Sequence, residues 1–178
     1  SALDTVVLRP SIVVGEASTG WTTSFNVLYW PLRAYSRGLL GAVPAKAQAR
    51  VDVVPVDYVA DAIVHITSER PDVRGTLHLV AGPDAVTVDE LMDLAAHKLD
   101  RPRPVLTADA AEELAERSDD AARYLPYFDM EVVFGDARSR SILRPAGIAP
   151  PQLRDYFGRL VDFAQDARWG KAQLARAS

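Results

Sequence analysis

The side chains that most often carry catalytic or metal chemistry are few in this sequence and lie far apart. The three histidines are His65, His78 and His97, and none has a ligand-like spacing to another histidine or to a pair of carboxylates. Cysteine is absent, which excludes a disulfide framework and a thiolate metal site within these residues. Scattered single histidines are mostly structural, so we predict no metal centre.

Motifs for nucleophilic and phosphate chemistry are missing as well. The sequence has no Gly-x-Ser-x-Gly turn, no P-loop and no Gly-x-Gly-x-x-Gly, and no tyrosine is followed four residues later by lysine. A dinucleotide pyrophosphate needs a glycine turn that feeds a helix amino terminus, where free N–H groups meet the negative charge. These 178 residues therefore provide no such cradle.

Composition narrows the class of protein further. The chain has 178 residues, enough for one good core, and a formal charge of −4, which argues against nucleic acid as a partner. Apolar runs are far shorter than the roughly 20 residues that span a bilayer, and a cysteine-free composition fits the cytoplasm. The sequence opens with Ser1 and enters an apolar strand almost at once, so we expect either a cut in a longer chain or a residue left from a tag.

Hydrophobic spacing predicts strands alternating with helices up to about residue 106, and mainly helices afterwards. The predicted strands cover residues 5–8, 11–15, 51–54, 76–80 and 103–106, and the predicted helices cover residues 24–40, 58–67, 87–99, 109–125, 136–143 and 151–169. Pro31 should kink the first helix or mark its restart, and Asp57 is the predicted N-cap of the second. Thr87 and Glu90 form a predicted capping box, and residues 41–49 are a predicted loop.

Three strings, taken in order, resemble the extended short-chain dehydrogenases/reductases of the NAD-dependent epimerase/dehydratase superfamily. They are Leu-Arg-Pro-Ser-Ile-Val-Val-Gly at residues 8–15, Asp-Val-Val-Pro-Val-Asp-Tyr-Val-Ala-Asp-Ala-Ile at residues 52–63, and residues 75–82 followed by 87–91. The Val-Pro-Val-Asp form is most similar to the fatty acyl-CoA reductase and thioester reductase (male-sterility-type) branch. The resemblance implies an α/β fold with Rossmann-like parallel sheet elements in residues 1–106 and a mainly helical substrate region in residues 107–178.

The resemblance also implies an NAD(P)-dependent oxidoreductase acting on a carbonyl or acyl thioester. The chain would be its substrate-side half, inactive alone, because the family's glycine turn and Tyr-x-x-x-Lys pair would precede Ser1. The segment that passes the nicotinamide ring in the family corresponds to Pro10, Ser11, Ile12 and Val13. The positions that would face substrate are Gly15, Trp21, Asn26 and Arg50. NAD or NADP would bind the parent protein, and we expect neither on this chain alone.

Alternatives to the reductase interpretation stay open from sequence. One is a non-catalytic binding or interaction module that retains the fold. Another is a fragment of a sugar-nucleotide epimerase or dehydratase, which is weakened because Val51 occupies the place of that group's diphosphate-binding arginine and Arg50 lies one residue earlier. An apolar strand edge at the start of the chain predicts a homo-oligomer. The substrate and the choice between NAD and NADP are not fixed by these residues.

Overall fold

The computed structural model describes residues 5–25, 27–107, 110 and 131–176, and every structural statement below concerns these residues. The strands are β1 (Val6–Pro10), β2 (Ile12–Val14), β3 (Ala42–Val43), β4 (Arg50–Val51), β5 (Val53–Pro55), β6 (Gly75–Leu79), β7 (Val86–Thr87) and β8 (Val105–Leu106). The α-helices are α1 (Tyr29–Ser36), α2 (Val56–Ser68), α3 (Val88–Leu99), α4 (Ala137–Leu143) and α5 (Leu153–Asp166). The fold class is α/β, as the sequence predicts.

The first strand segment changes its pairing partner at Ser11. β1 runs parallel to β6, from Val6 opposite Gly75 to Pro10 opposite Leu79, and β2 runs parallel to β5. The Ser11 N–H donates to the Leu79 carbonyl at 3.1 Å, which closes the first ladder before the second begins. β3 and β8 are also parallel, whereas β4 and β7 pair antiparallel. The chain thus forms short, mostly parallel sheet pieces.

The predicted single strand at residues 51–54 is wrong, because Asp52 divides it into β4 and β5. The buried Asp52 carboxylate accepts hydrogen bonds from the backbone N–H groups of Ala81 at 2.8 Å and Gly82 at 2.9 Å. The two hydrogen bonds that this side chain accepts from buried donors stabilise the fold more than one continuous strand ladder would. Asp52 therefore ties the β4–β5 break to the turn after β6.

Two helix predictions need correction. α1 begins at Tyr29, well after the predicted start at residue 24. Pro31 lies in its first turn, where the missing N–H breaks no intrahelical bond, which agrees with the predicted restart of the helix and not with a kink inside it. The N-cap of α2 is Pro55 and not Asp57, since Asp57 lies inside the first turn. The capping box is confirmed, with Thr87 and Glu90 exchanging both hydrogen bonds at the start of α3.

The remaining predictions differ mainly at element ends. Residues 41–49 include β3, so they are not wholly a loop, because Ala42 and Val43 find strand partners in β8. α4 and α5 lie inside the two helices predicted for residues 136–143 and 151–169. The helix predicted for residues 109–125 falls outside the described residues, apart from residue 110.

Two main cores hold these elements together. One lies between β6, α2 and α4 and contains Tyr58, Leu77 and Leu143. The larger one joins α1, α3 and α5 to β2 and β5. α5 lends this core a buried stripe at helical spacing: Leu153, Tyr156, Phe157, Leu160, Val161 and Ala164. The larger core lies directly beneath the loop that follows β2.

Candidate active-site region

The loop at residues 15–21, called here the β2 loop, leaves the carboxyl end of a parallel strand. In open α/β sheets this is the edge where ligands bind. The Glu16 N–H donates to the Trp21 carbonyl at 3.0 Å, and the Gly20 N–H donates to the Glu16 carbonyl at 2.9 Å, so the loop closes on itself. The buried Gly15 N–H donates to the Tyr29 hydroxyl at 3.0 Å, which attaches the start of the loop to α1.

Residues from distant parts of the chain hold the β2 loop in place. The Ala17 N–H donates to Asp57 Oδ2 at 3.0 Å, and Arg159 Nε donates to the Ala17 carbonyl. Gly20 has φ +76° and packs so tightly that a Cβ there would overlap the Arg159 carbonyl oxygen. Asp57 therefore positions this loop, which is a role that its predicted capping function did not include.

The side chains of Glu16 and Trp21 meet the carboxy-terminal segment. Glu16 is buried, its Oε2 accepts from the Thr19 hydroxyl at 2.7 Å, and its Oε1 lies 2.6 Å from Arg176 Nη2. The Arg176 guanidinium carbon lies 5.8 Å from the centre of the Trp21 ring. Trp21 Nε1 donates to the Leu174 carbonyl at 3.3 Å. A carboxylate and an indole are thus brought together around one guanidinium.

The residues predicted for the nicotinamide side form the strand segment leading into this loop. Pro10 is exposed at the end of β1, while Ser11, Ile12 and Val13 are partly buried. The Ile12 N–H donates to the Asp52 carbonyl at 3.3 Å. The Ser11 hydroxyl oxygen is buried and makes no hydrogen bond within the described part of the chain.

The structure brings two of the four predicted substrate residues, Gly15 and Trp21, together. Gly15 and Trp21 stand at the two ends of the β2 loop, in contact through its backbone. Arg50 lies in β4, where its guanidinium donates to the Ala85 carbonyl at 2.7 Å. Asn26 falls outside the described residues. Sequence reasoning missed Glu16, because no local pattern reveals a partner 160 positions away.

Each tyrosine that the structure describes is a weaker acid than a free tyrosine. Burial raises the pKa of Tyr29 to about 12, although its hydrogen bond from Gly15 opposes the shift. Burial also raises the pKa of Tyr156, helped by the nearby negative charge of Asp57, and its hydroxyl makes no hydrogen bond among the described residues. The pKa values of Tyr35 and Tyr58 are raised as well, first by burial. A tyrosine that transfers protons near neutral pH needs the opposite shift.

Three further observations concern the rest of the described chain. An apolar cavity of about 60 Å³ lies between α1 and α3, with Leu28 and Leu32 in its lining. Within residues 5–25, 27–107 and 131–176 no cluster of three or more His, Asp or Glu side chains could hold a metal ion. Among the helices described, none is long and apolar enough to cross a membrane.

Comparisons with known proteins show which family this chain resembles. Residues 1–63 match the family model described as male sterility protein, an NAD-binding family. This match confirms the resemblance to the male-sterility-type branch that the sequence motifs predicted. A curated relative, the non-canonical nonribosomal peptide synthetase FrzA from Cladobotryum, is 32% identical over 117 residues, which are 63% of this chain and 11% of that protein. The chain therefore covers only a small part of this relative's length.

Solved structures share the fold. The terminal R domain from the myxalamid PKS-NRPS biosynthetic pathway is 24% identical, with a TM-score of 0.72 over 94% of this chain and 45% of that one. MoeE5 in complex with UDP-glucuronic acid and NAD is 19% identical, with a TM-score of 0.62 over 91% of this chain and 47% of that one. The chain thus spans about half the length of these proteins, and at these identities the likeness concerns the fold.

The cofactor that this family implies can be tested against the residues present. The strand from Pro10 to Val14 offers one polar group to a cofactor, the Ser11 hydroxyl, which has no hydrogen-bond partner among the described residues. A pyrophosphate does not fit these residues, because no glycine turn of the sequence feeds a helix start and the Gly15 N–H is already bonded to Tyr29.

Proposed function

We propose that this chain forms the substrate side of an NAD(P)-dependent oxidoreductase that acts on a carbonyl or an acyl thioester. The observation that carries the proposal is the β2 loop, held rigidly at the carboxyl end of a parallel strand with Trp21 at its far end. Three anchors, Tyr29, Asp57 and Arg159, fix the loop without needing a ligand. Such preorganisation is what a substrate wall requires.

The choice of a carbonyl or thioester over a sugar nucleotide rests on one structural observation. The Arg50 guanidinium, the cation nearest in sequence to the diphosphate position, already bonds to the Ala85 carbonyl. The male-sterility match over residues 1–63 supports the same choice.

In the proposed division of labour this chain supplies binding and orientation. The cofactor would supply the hydride, and the segment from Pro10 to Val13 would line its nicotinamide side. Proton transfer would come from a residue outside this chain, because no tyrosine of the sequence is followed four residues later by lysine. The raised pKa values of the four described tyrosines agree with this assignment. A domain that retains the fold and only binds a ligand is the alternative.

Two measurements test the proposal. Calorimetric titration of the 178-residue chain with NADH and NADPH should give no saturable binding tighter than about millimolar, because the pyrophosphate cradle is missing. In the full polypeptide that contains this chain, Trp21→Ala should raise KM for an acyl-pantetheine thioester at least fivefold and leave KM for NADPH unchanged.

Val105→Ala is the matched control. Val105 is exposed in β8, so this substitution truncates an apolar side chain that does not belong to the β2 loop. Tight cofactor binding by the isolated chain would refute the division of labour. An unchanged thioester KM in Trp21→Ala would refute the substrate-side assignment. A full polypeptide that binds thioesters but shows no NAD(P)H oxidation would favour the binding-module alternative.

A further inference from the structure

We propose that Glu16 and Trp21 form a recognition site for a small guanidinium or alkylammonium ligand, and that Arg176 of the same chain occupies this site from within. The site lies on the β2 loop, so its role in substrate binding rests on the proposed function. Its existence as a cation site does not, because it depends on neither a cofactor nor a reaction.

The carboxylate of Glu16 is built into the site and is not a solvated surface charge. Its side chain is only 6% exposed, and the Thr19 hydroxyl donates to Oε2, which leaves Oε1 directed at the guanidinium. A buried carboxylate needs a counter-charge or several hydrogen bonds, because losing its water is costly. Arg176 supplies that counter-charge at 2.6 Å.

Trp21 provides the second recognition element. The Arg176 guanidinium carbon lies 5.8 Å from the ring centre, which is within the range where the π face attracts a cation. The indole is held in place because its Nε1–H donates to the Leu174 carbonyl. A hydrogen-bonded carboxylate beside an oriented indole is a combination that selects positive charge of either chemistry, guanidinium or ammonium.

The occupant itself is poorly anchored. The Arg176 side chain is 65% exposed, whereas the carboxylate beneath it is covered. Other charges that touch the loop are already engaged with its backbone: Asp57 accepts from Ala17, and Arg159 donates to the same residue. Arg176 is thus the exchangeable partner, and a ligand cation can replace it without disturbing the loop.

If a ligand cation must displace Arg176 to reach Glu16 and Trp21, removing Arg176 should raise the affinity of the site for that ligand. Arg176→Ala removes the internal competitor and leaves the buried Glu16 carboxylate without its counter-charge, beside an intact Trp21. Agmatine, a small guanidinium compound with an alkyl chain, should then bind at least tenfold more tightly to Arg176→Ala than to the unmodified chain. N-butylurea, which is similar in shape but neutral, should bind to neither protein.

The experiment is a calorimetric titration of the 178-residue chain with agmatine, paired with ¹⁵N NMR of the three tryptophan indole N–H signals. Only the Trp21 signal, identified with a Trp21→Leu variant, should shift. Lys171→Ala is the matched control, because it removes one positive charge from the same segment at an exposed position. Adding Glu16→Gln to Arg176→Ala should abolish binding.

Several results would overturn the proposal. These are equal agmatine affinity in Arg176→Ala and the unmodified chain, equal tightening by Lys171→Ala, binding of N-butylurea, or binding that survives Glu16→Gln. If Glu16→Gln does not fold, Trp21→Leu in the Arg176→Ala background replaces it, and an unchanged affinity there also overturns the proposal. Loss of the thioester KM effect alone would count against the proposed function and leave the cation site standing.

Discussion

Replacing Asp52 with alanine should destabilise this protein more than any surface substitution, because Asp52 satisfies two buried backbone donors at once. Its carboxylate accepts from the Ala81 N–H at 2.8 Å and the Gly82 N–H at 2.9 Å. An orphaned buried donor costs about 1–3 kcal/mol. Taking about 2 kcal/mol for each donor, Asp52→Ala should lower the free energy of unfolding by about 4 kcal/mol.

For a chain of this length, each kcal/mol shifts Tm by about 2–4 °C, so Asp52→Ala should lower Tm by about 8–16 °C. Asp52→Asn keeps one acceptor oxygen and should cost about half as much. Urea unfolding followed by circular dichroism measures both values. Asp61→Ala serves as the control, because Asp61 is exposed on α2. A loss below about 1 kcal/mol for Asp52→Ala would refute the reasoning, since it would mean that water or another group satisfies those donors.

Three further predictions concern packing, pH and assembly. Gly20→Ala should cost about 2–4 kcal/mol in urea unfolding, and clearly more than Gly147→Ala, because both glycines have positive φ but only Gly20 meets the backbone of α5; equal losses would contradict the tight packing. Stability should fall as pH rises from about 10 to about 12, since Tyr29 and Tyr58 keep their protons in the folded state to a pKa of about 12 but lose them near 10.0 when unfolded; urea unfolding that is flat across this window would contradict it. We also propose that the β1 edge, where Val7 is 42% exposed, pairs with a second copy; light scattering should then show a dimer that Val7→Lys dissociates, and a monomer would count against it.

The sequence predicted most of the elements, because each one depends on local patterns. The capping box at Thr87 and the parallel strand at residues 76–80 come from side-chain types within a few positions, and both are present. Errors arose where a distant partner decided the outcome. Asp52 interrupts a β-branched run because its acceptors are needed by residues about 30 positions later.

The candidate site shows the same limit more clearly. The resemblance located the β2 loop through Gly15 and Trp21, since Gly15 ends the Leu-Arg-Pro-Ser-Ile-Val-Val-Gly string and Trp21 lies six residues further on. It could not reveal that Arg159 and Arg176 reach that loop, because no spacing rule links residues so far apart. Arg50 was selected by its position near a family motif, and its bond to Ala85 could be seen only after β4 and β7 were paired.

The contacts that anchor the β2 loop also determine when this loop folds during synthesis on the ribosome. The Arg159 contact with Ala17 and the Leu174 contact with Trp21 span 142 and 153 residues. Contacts of such long sequence separation form late, because their loop-closure entropy must be overcome first. The loop therefore reaches its final shape only after residues 159–176 have been synthesised, long after its own residues. A nascent chain stalled before α5 should consequently leave residues 16–21 open to protease, and extension of the chain past residue 176 should protect them.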